Sequence, residues 1–202
     1  MSDTVLKTPE HTIPKAFTRA QLDWLPWLEP LGVDALTPRH VASLVDAARV
    51  KSPYFRLLAR DPDALEARTR TDKDIFYNPD AGLPRAEREL AAAATSRFNG
   101  CLYCASVHAR HAATYSKRED DVQRLLDAGV TAELGERWNA IVAASVALTA
   151  TPSSFGPEHV ERLRRAGLND LAISDVVHAA AFFGWANRLM LSLGEPAAPP
   201  GP

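Results

Sequence analysis

The sequence lacks an excess of positive charge and lacks any apolar stretch of bilayer length. Its 202 residues carry 23 Lys and Arg against 25 Asp and Glu, which gives a formal net charge of -2. A polyanion binds to clustered positive charge, so this balance argues against nucleic acid as a partner. The longest nearly apolar run, residues 140–150, is far shorter than the roughly 18 residues that cross a bilayer. We therefore expect no nucleic-acid binding and no membrane span.

Two further features are scarce or missing: a secretory signal and cysteine. The first residues show no basic region followed by an apolar core and a small-residue cleavage site, so we expect a cytoplasmic protein. Cys101 and Cys104 are the only cysteines. A reducing compartment disfavours a permanent structural disulfide, and a bridge across so short a loop would stabilise little. Redox chemistry and metal binding are the two roles left for this pair.

Proline is absent between Pro84 and Pro152, although the chain holds 15 prolines. Because proline interrupts helices, the longest helices are expected in this interval. Apolar residues recur there at spacings of three and four, and no segment has the alternation of a good strand. The sequence predicts an all-α fold, a bundle of stacked helical hairpins, with helices at about 18–28, 38–50, 62–70, 84–98, 101–116, 118–128, 132–149, 157–166 and 170–193.

We expect one domain over residues 1–202. Residues 1–80 are rich in proline and aromatic side chains and are predicted to wrap as helices around a core at 81–193, which holds the cysteines. The proline-rich tail 194–202 is expected to be disordered. The chain has four tryptophans, and further aromatic residues cluster in the first 80 positions. Together they present more apolar surface than helices around a single bundle are expected to bury, which favours a homo-oligomer.

The informative residues lie around the cysteine pair. An Asn-Gly break at 99–100 precedes a helix that begins near Cys101, and spacings of three and four place Cys101, Cys104 and His108 on one helix face. The first turn of a helix favours thiolate over thiol. His108 offers a proton acceptor one turn from Cys104. Glu89, on the preceding helix, can reach the same face and orient His108.

Other roles for these residues remain open. Cys101, Cys104 and His108, with His111 as a fourth ligand, could form a zinc site, but four residues of one helix do not easily converge tetrahedrally. His108 could be a core histidine without a chemical role. Glu89 could be a solvated charge within Glu87-Arg88-Glu89, since charge runs usually face water.

The residues Glu89, Cys101, Cys104 and His108 form the pattern E-x11-C-x2-C-x3-H, which overlaps the run RELAAAATSRFNGC. This combination resembles the alkylhydroperoxidase D-like members of the carboxymuconolactone decarboxylase superfamily, specifically their longer peroxidase-related form. The resemblance covers about residues 54–193 and includes the late segment AGLNDLAISDVVHAAAFFGWANRL.

The resemblance implies an all-helical, oligomeric protein that reduces hydroperoxides. It implies no bound cofactor, a dithiol-disulfide cycle, and an external thiol or dithiol protein as reductant. Cys104 would be the thiolate that attacks the peroxide, Cys101 the resolving cysteine that faces the reductant, and His108 with Glu89 the proton relay. Tyr103 stands where the characterised peroxidases carry a second histidine. A phenol is a poor base near neutral pH, so we expect a weaker relay to Cys101.

Two competing functions stay open. A decarboxylase or lactone-processing enzyme, like the other branch of the superfamily, would need acid and base groups rather than a dithiol. A non-catalytic redox sensor or interaction protein would use the dithiol only to switch helix packing.

Overall fold

Helices make up most of the chain in the computed structural model, which describes residues 5–8 and 11–198. In chain order they are α1 (Pro38–Ser43), α2 (Pro53–Leu58), α3 (Pro62–Tyr77), α4 (Arg85–Phe98), α5 (Leu102–Ser116), α6 (Glu119–Ala128), α7 (Glu136–Thr149), α8 (Pro157–Arg165) and α9 (Asp170–Leu193). Short 3-10 helices span Val33–Ala35 and Ala47–Lys51. The expected all-α class is confirmed. Within the described ranges, every helix is too short or too polar to cross a bilayer.

Helix α4 is the centre of the bundle. It packs against α5, α7 and α9, and its residues from Glu87 to Ser96 are all buried. Alanines 91–94 have no exposed surface, and such small side chains let the neighbouring helix axes approach closely. Branched apolar side chains fill the surrounding space: Leu90, Leu125, Leu126, Ile141, Leu163 and Val176.

A second apolar cluster joins the first third of the chain to this bundle. Its members come from the N-terminal region, from α4, from α9 and from the start of α5: Trp24, Tyr54, Leu57, Phe76, Ala92, Cys101, Cys104, Phe183, Ala186 and Met190. Both cysteines therefore lie at the boundary between the bundle and the N-terminal segments that cover it.

A two-stranded antiparallel sheet connects the two ends of the described chain. Strand β1 (Asp23–Pro26) pairs with β2 (Gly194–Ala197), with Asp23 opposite Ala197 and Pro26 opposite Gly194. The indole Nε1 of Trp24 donates a hydrogen bond to the Met190 carbonyl at 3.3 Å. The strand and this bond together hold the N-terminal segment against the end of α9.

Several expectations outside the bundle are wrong. The helix expected at 18–28 does not form, because this segment contains β1, whose backbone groups pair with β2. For the same reason the tail is ordered over Gly194–Ala197, and residues 199–202 lie outside the described residues. The helix expected at 38–50 is broken after α1, where Val45 has a φ of 62°.

Candidate active site

The two cysteines lie where α4 turns into α5. Asn99 ends α4, and Gly100 has a φ of 79°, a left-handed conformation that glycine adopts without strain. Cys101 follows as the N-cap residue of α5, and its backbone N–H donates to the Ser96 carbonyl at 3.0 Å. The Asn-Gly turn thus places one cysteine at the helix N-terminus and the other in its first turn.

The two thiols are free and buried, and their surroundings differ. Cys101 is 2% exposed and Cys104 is 6% exposed. The hydrogen bond between them lowers the pKa of Cys101 and raises the pKa of Cys104 well above its usual value, and burial adds to the increase at Cys104. Backbone hydrogen bonds from Cys104 and Tyr103 also favour the Cys101 thiolate, as is typical of a helix N-terminus. Cys101 therefore ionises before Cys104, and Cys104 is the thiol that retains its proton.

Asn187 on α9 is a polar member of this site that the sequence analysis missed. It is completely buried, and its Nδ2 donates to Ser96 Oγ at 3.0 Å while its Oδ1 accepts from Asn99 Nδ2 at 3.0 Å. Hydrogen bonding with its side chain acts to lower the pKa of each thiol. The sequence feature that could have identified Asn187 is that it is a single amide within the apolar sequence of α9. A buried amide is usually hydrogen-bonded, so such a residue indicates polar partners nearby.

His108 and Glu89 are in direct contact, with His108 Nδ1–H donating to Glu89 Oε2 at 2.6 Å. Arg85 Nε donates to the other carboxylate oxygen at 3.2 Å. Burial acts to raise the pKa of Glu89, but the hydrogen bond and charge of His108 outweigh it, and the pKa is lowered. Glu89 is thus an ionised carboxylate that fixes the orientation of the imidazole. The second ring nitrogen, Nε2, is left available to exchange a proton with other groups.

A cavity of about 190 Å³ opens beside Cys104. Tyr103, Cys104, His108 and Glu89 line it, whereas Cys101 does not. The rest of the lining is largely apolar or aromatic and includes Tyr54, Phe55, Phe76, Val107, Phe183, Ala186 and Met190. A small molecule in this cavity therefore meets the Cys104 sulfur, with Cys101 behind it.

Tyr103 and His111 also line the cavity. Burial raises the pKa of Tyr103, so its phenol is protonated near neutral pH. Burial lowers the pKa of His111, whose ring stacks with Tyr115 at a centroid distance of 6.2 Å. In the part of the chain that the structure describes, no three His, Cys, Asp or Glu side chains are arranged to hold a metal ion. The zinc alternative therefore lacks a ligand set among these residues.

Comparison with known proteins bears on the motif. The model of the carboxymuconolactone decarboxylase family matches residues 62–147, a range that contains Glu89, both cysteines and His108. A search of curated proteins gives no match. The family match agrees with the resemblance that the motif indicated.

Solved structures share the fold. A peroxidase-related protein from Ralstonia eutropha JMP134, described as an alkylhydroperoxidase AhpD core, has a TM-score of 0.70 at 24% identity, covering 82% of this chain and 88% of that chain. A peroxidase-related protein from Silicibacter sp. TM1040 gives 0.66 at 22% identity, covering 84% and 92%. A cysteine-to-alanine variant of the debrominase Bmp8 in complex with 2,3,4-tribromopyrrole gives 0.62 at 21% identity, covering 81% and 87%. The alkylhydroperoxidase-like helical fold is confirmed.

Proposed function

We propose that this chain, whose residues 62–147 match the carboxymuconolactone decarboxylase family, reduces hydroperoxides with the thiols of Cys101 and Cys104. The observation that carries the proposal is the placement of the pair: Cys104 lines the cavity, and Cys101, behind it, has the lowered pKa. Such a dithiol can react with a substrate at one sulfur and resolve the product with the other. An external thiol or dithiol protein then returns the disulfide to the reduced state.

The first step is attack by Cys104 on the outer oxygen of the hydroperoxide. Its thiol proton passes to the Cys101 thiolate through their hydrogen bond. An S–O bond forms, the O–O bond breaks, and the departing alkoxide takes a proton to become an alcohol, which leaves Cys104 as a sulfenic acid. Cys101 then loses its proton and attacks the Cys104 sulfur. The S–S bond forms, and hydroxide leaves with that proton as water.

The pair of His108 and Glu89 supplies the proton that the alkoxide needs. Ionised Glu89 stabilises the imidazolium form, and Nε2–H of that form can donate to the leaving oxygen. The ring of Phe183 lies 4.0 Å from the imidazole, centroid to centroid, and excludes water from one side. General acid assistance at this oxygen makes the alkoxide a better leaving group.

The cavity favours a neutral organic hydroperoxide. Its lining holds two guanidinium groups, Arg68 and Arg85, and two carboxylates, Asp72 and Glu89, so the charges of these four groups balance. Most of the remaining wall is aromatic or aliphatic, which suits an alkyl or aryl substituent. An ionised substrate would lose its hydration shell on entering the cavity, and the balanced charges of the lining would not compensate for that loss.

Stoichiometric oxidation tests the proposal. Reduced protein mixed with one equivalent of tert-butyl hydroperoxide should lose both free thiols and release one equivalent of tert-butanol, and a dithiol such as dithiothreitol should restore the thiols for another round. The matched control is the double variant Cys101→Ser, Cys104→Ser, which keeps the side-chain shapes and should consume no peroxide. Equal peroxide consumption by the two proteins would contradict the proposal.

The same protein pair separates the competing functions. A decarboxylase-like enzyme would process a carboxylated lactone equally well with and without the cysteines, because its acid and base groups would remain. A redox sensor would oxidise once but would not sustain peroxide consumption when dithiothreitol is in excess. We expect neither pattern.

A further inference from the structure

Tyr54 has a buried hydroxyl without a hydrogen-bond partner among the described residues. The residue is the second of α2, is 7% exposed, and lines the same cavity as Cys104. Its ring packs edge-on against Trp24 and Phe55 with centroid distances of 5.3 Å in both cases, so the ring is held in place. The hydroxyl makes no hydrogen bond there. Buried tyrosine hydroxyls usually find a partner, so a free one in a residue that lines a cavity indicates a ligand atom that accepts a hydrogen bond from it.

Arg68 on α3 provides a second donor of the same kind. Its side chain is 8% exposed, it lines the cavity, and its buried Nε–H is without a partner in the described part of the chain. Its guanidinium carbon lies 5.3 Å from the Phe55 ring centroid and 5.2 Å from that of Phe182, and Nη1 lies 3.4 Å from Asp72 Oδ2. These contacts fix the guanidinium while leaving one of its donors unused.

We propose that the Tyr54 hydroxyl and the Arg68 Nε–H are catalytic donors that bind the peroxide oxygens of the substrate beside Cys104. The assignment rests on the proposed function, because it supplies the donors that the peroxide reduction uses. The two hydrogen bonds orient the O–O bond for attack and stabilise the negative charge that develops on the departing oxygen. No bond to either residue forms or breaks, and the proton that completes the alcohol still comes through His108.

The protonation state of Tyr54 suits this role. Burial raises the pKa of its phenol well above the usual value, the positive charge of Arg68 opposes this, and ionisation of either cysteine acts in the same direction as burial. Tyr54 therefore keeps its proton throughout the physiological range and serves as a donor rather than as a base.

The test compares two reactions of the same thiol. One is single-turnover oxidation by tert-butyl hydroperoxide, and the other is alkylation by iodomethane, whose leaving iodide accepts only weak hydrogen bonds. Tyr54→Phe should slow the oxidation by roughly 10²-fold, the scale for loss of one donor to a developing oxyanion. It should leave the alkylation rate within about twofold of the parent rate. Arg68→Lys keeps the positive charge but loses Nε–H, and it should show the same selective loss.

Tyr115→Phe is the matched control, because Tyr115 is half exposed and is not part of the cavity lining. It should leave both rates unchanged. If the parent oxidises readily and both Tyr54→Phe and Arg68→Lys oxidise at the parent rate, the donor assignment is overturned while the proposed function stands.

Equal losses in the oxidation rate and the alkylation rate would also overturn the donor assignment, since the residues would then act on the thiol. A parent that is alkylated but never oxidised by a hydroperoxide would overturn the proposed function together with the assignment. Should one variant fail to fold by circular dichroism, the other decides.

Discussion

Cys101 and Cys104 are neighbours on one helix, but their thiols have opposite pKa shifts. The Cys104 side chain donates to Cys101, and the backbone at the helix N-terminus adds further hydrogen bonds to the same sulfur. At Cys104 the hydrogen bond with Cys101 is the larger cause of the raised pKa, and desolvation adds to it. Cys101 is thus the first of the two thiols to ionise, and under the proposed function Cys104, which faces the cavity, becomes nucleophilic when it passes its proton to Cys101.

A thiolate titration at 240 nm tests this difference. The first thiol of the reduced protein should ionise below the ordinary cysteine value of about 8.5, so thiolate absorbance should appear at a lower pH than in free cysteine. Cys104→Ala removes the side-chain donor and should raise the pKa of Cys101. Cys104→Ser retains an O–H donor and should keep that pKa low. If the alanine and serine variants titrate alike, the hydrogen bond between the two side chains does not set the pKa.

The relay residues have a separate signature. His108→Asn keeps an N–H donor for Glu89 but cannot deliver a proton from Nε2, so peroxide oxidation should slow by roughly 10²-fold. Glu89→Gln should give a smaller loss, because a neutral amide still positions the imidazole without stabilising its charged form. Alkylation by iodomethane should be little changed in both variants. A matching fall in alkylation would mean that His108 deprotonates the thiol instead of assisting the leaving group.

The candidate residues that share a local pattern could be predicted from sequence, and those brought together by packing could not. Cys101, Cys104 and His108 are linked by helical spacing, and Glu89 by a short turn between two helices. Tyr54 and Asn187 lie far from them in the chain and reach the site through α2 and α9. Neither position has a local signal beyond a polar atom in an apolar stretch, so only the three-dimensional contacts identify them.

At the scale of elements, the proline-free region was predictable because its helices are defined by local periodicity and by their ends. The predicted helices 84–98 and 170–193 match α4 and α9 to within one residue. The expected start at 132 is four residues early, because α7 begins only after Gly135, which has a φ of 87°. Strands β1 and β2 have four residues each and lie at opposite ends of the described chain. They are too short to show the alternation of apolar and polar residues that predicts a strand.

Gly194 tests what this sheet contributes. A Cβ on Gly194 would lie 2.3 Å from the Leu25 carbonyl oxygen and 2.4 Å from Trp24 Cζ2, so alanine there must displace backbone. Gly194→Ala should lower the free energy of unfolding by roughly 1–3 kcal/mol, measured by urea denaturation. It should also slow peroxide oxidation, because Trp24 packs on Tyr54.

Gly32→Ala is the control for this substitution. Gly32 has nothing within 4 Å of its added Cβ, and its φ of -59° is open to alanine. The free energy of unfolding should change by less than about 0.5 kcal/mol. Equal stability of the two variants would show that the sheet does not hold the N-terminal segment in place.

At the scale of the whole molecule, the cavity draws on a longer part of the chain than the two cysteines, His108 and Glu89 do. The relay and both cysteines lie within the family-matched residues 62–147, whereas Tyr54, Phe183 and Met190 line the cavity from outside that range. Residues of α2 and α9 therefore complete the cavity wall around Cys104. Homo-oligomeric assembly stays a prediction, and light scattering at micromolar concentration measures it directly.

The central claim is that Cys104 takes the first oxygen and Cys101 resolves it. Mass spectrometry of Cys101→Ser and Cys104→Ser, each mixed with one equivalent of tert-butyl hydroperoxide and a sulfenic-acid trap, tests that claim most directly. Cys101→Ser should acquire one trapped sulfenic acid, and Cys104→Ser should remain unmodified on the same timescale. The parent protein should instead lose two hydrogens as the disulfide forms. Selective oxidation of Cys104→Ser would contradict the claim by reversing the two roles, and oxidation of neither cysteine in any of the three proteins would show that the pair is not the reactive centre.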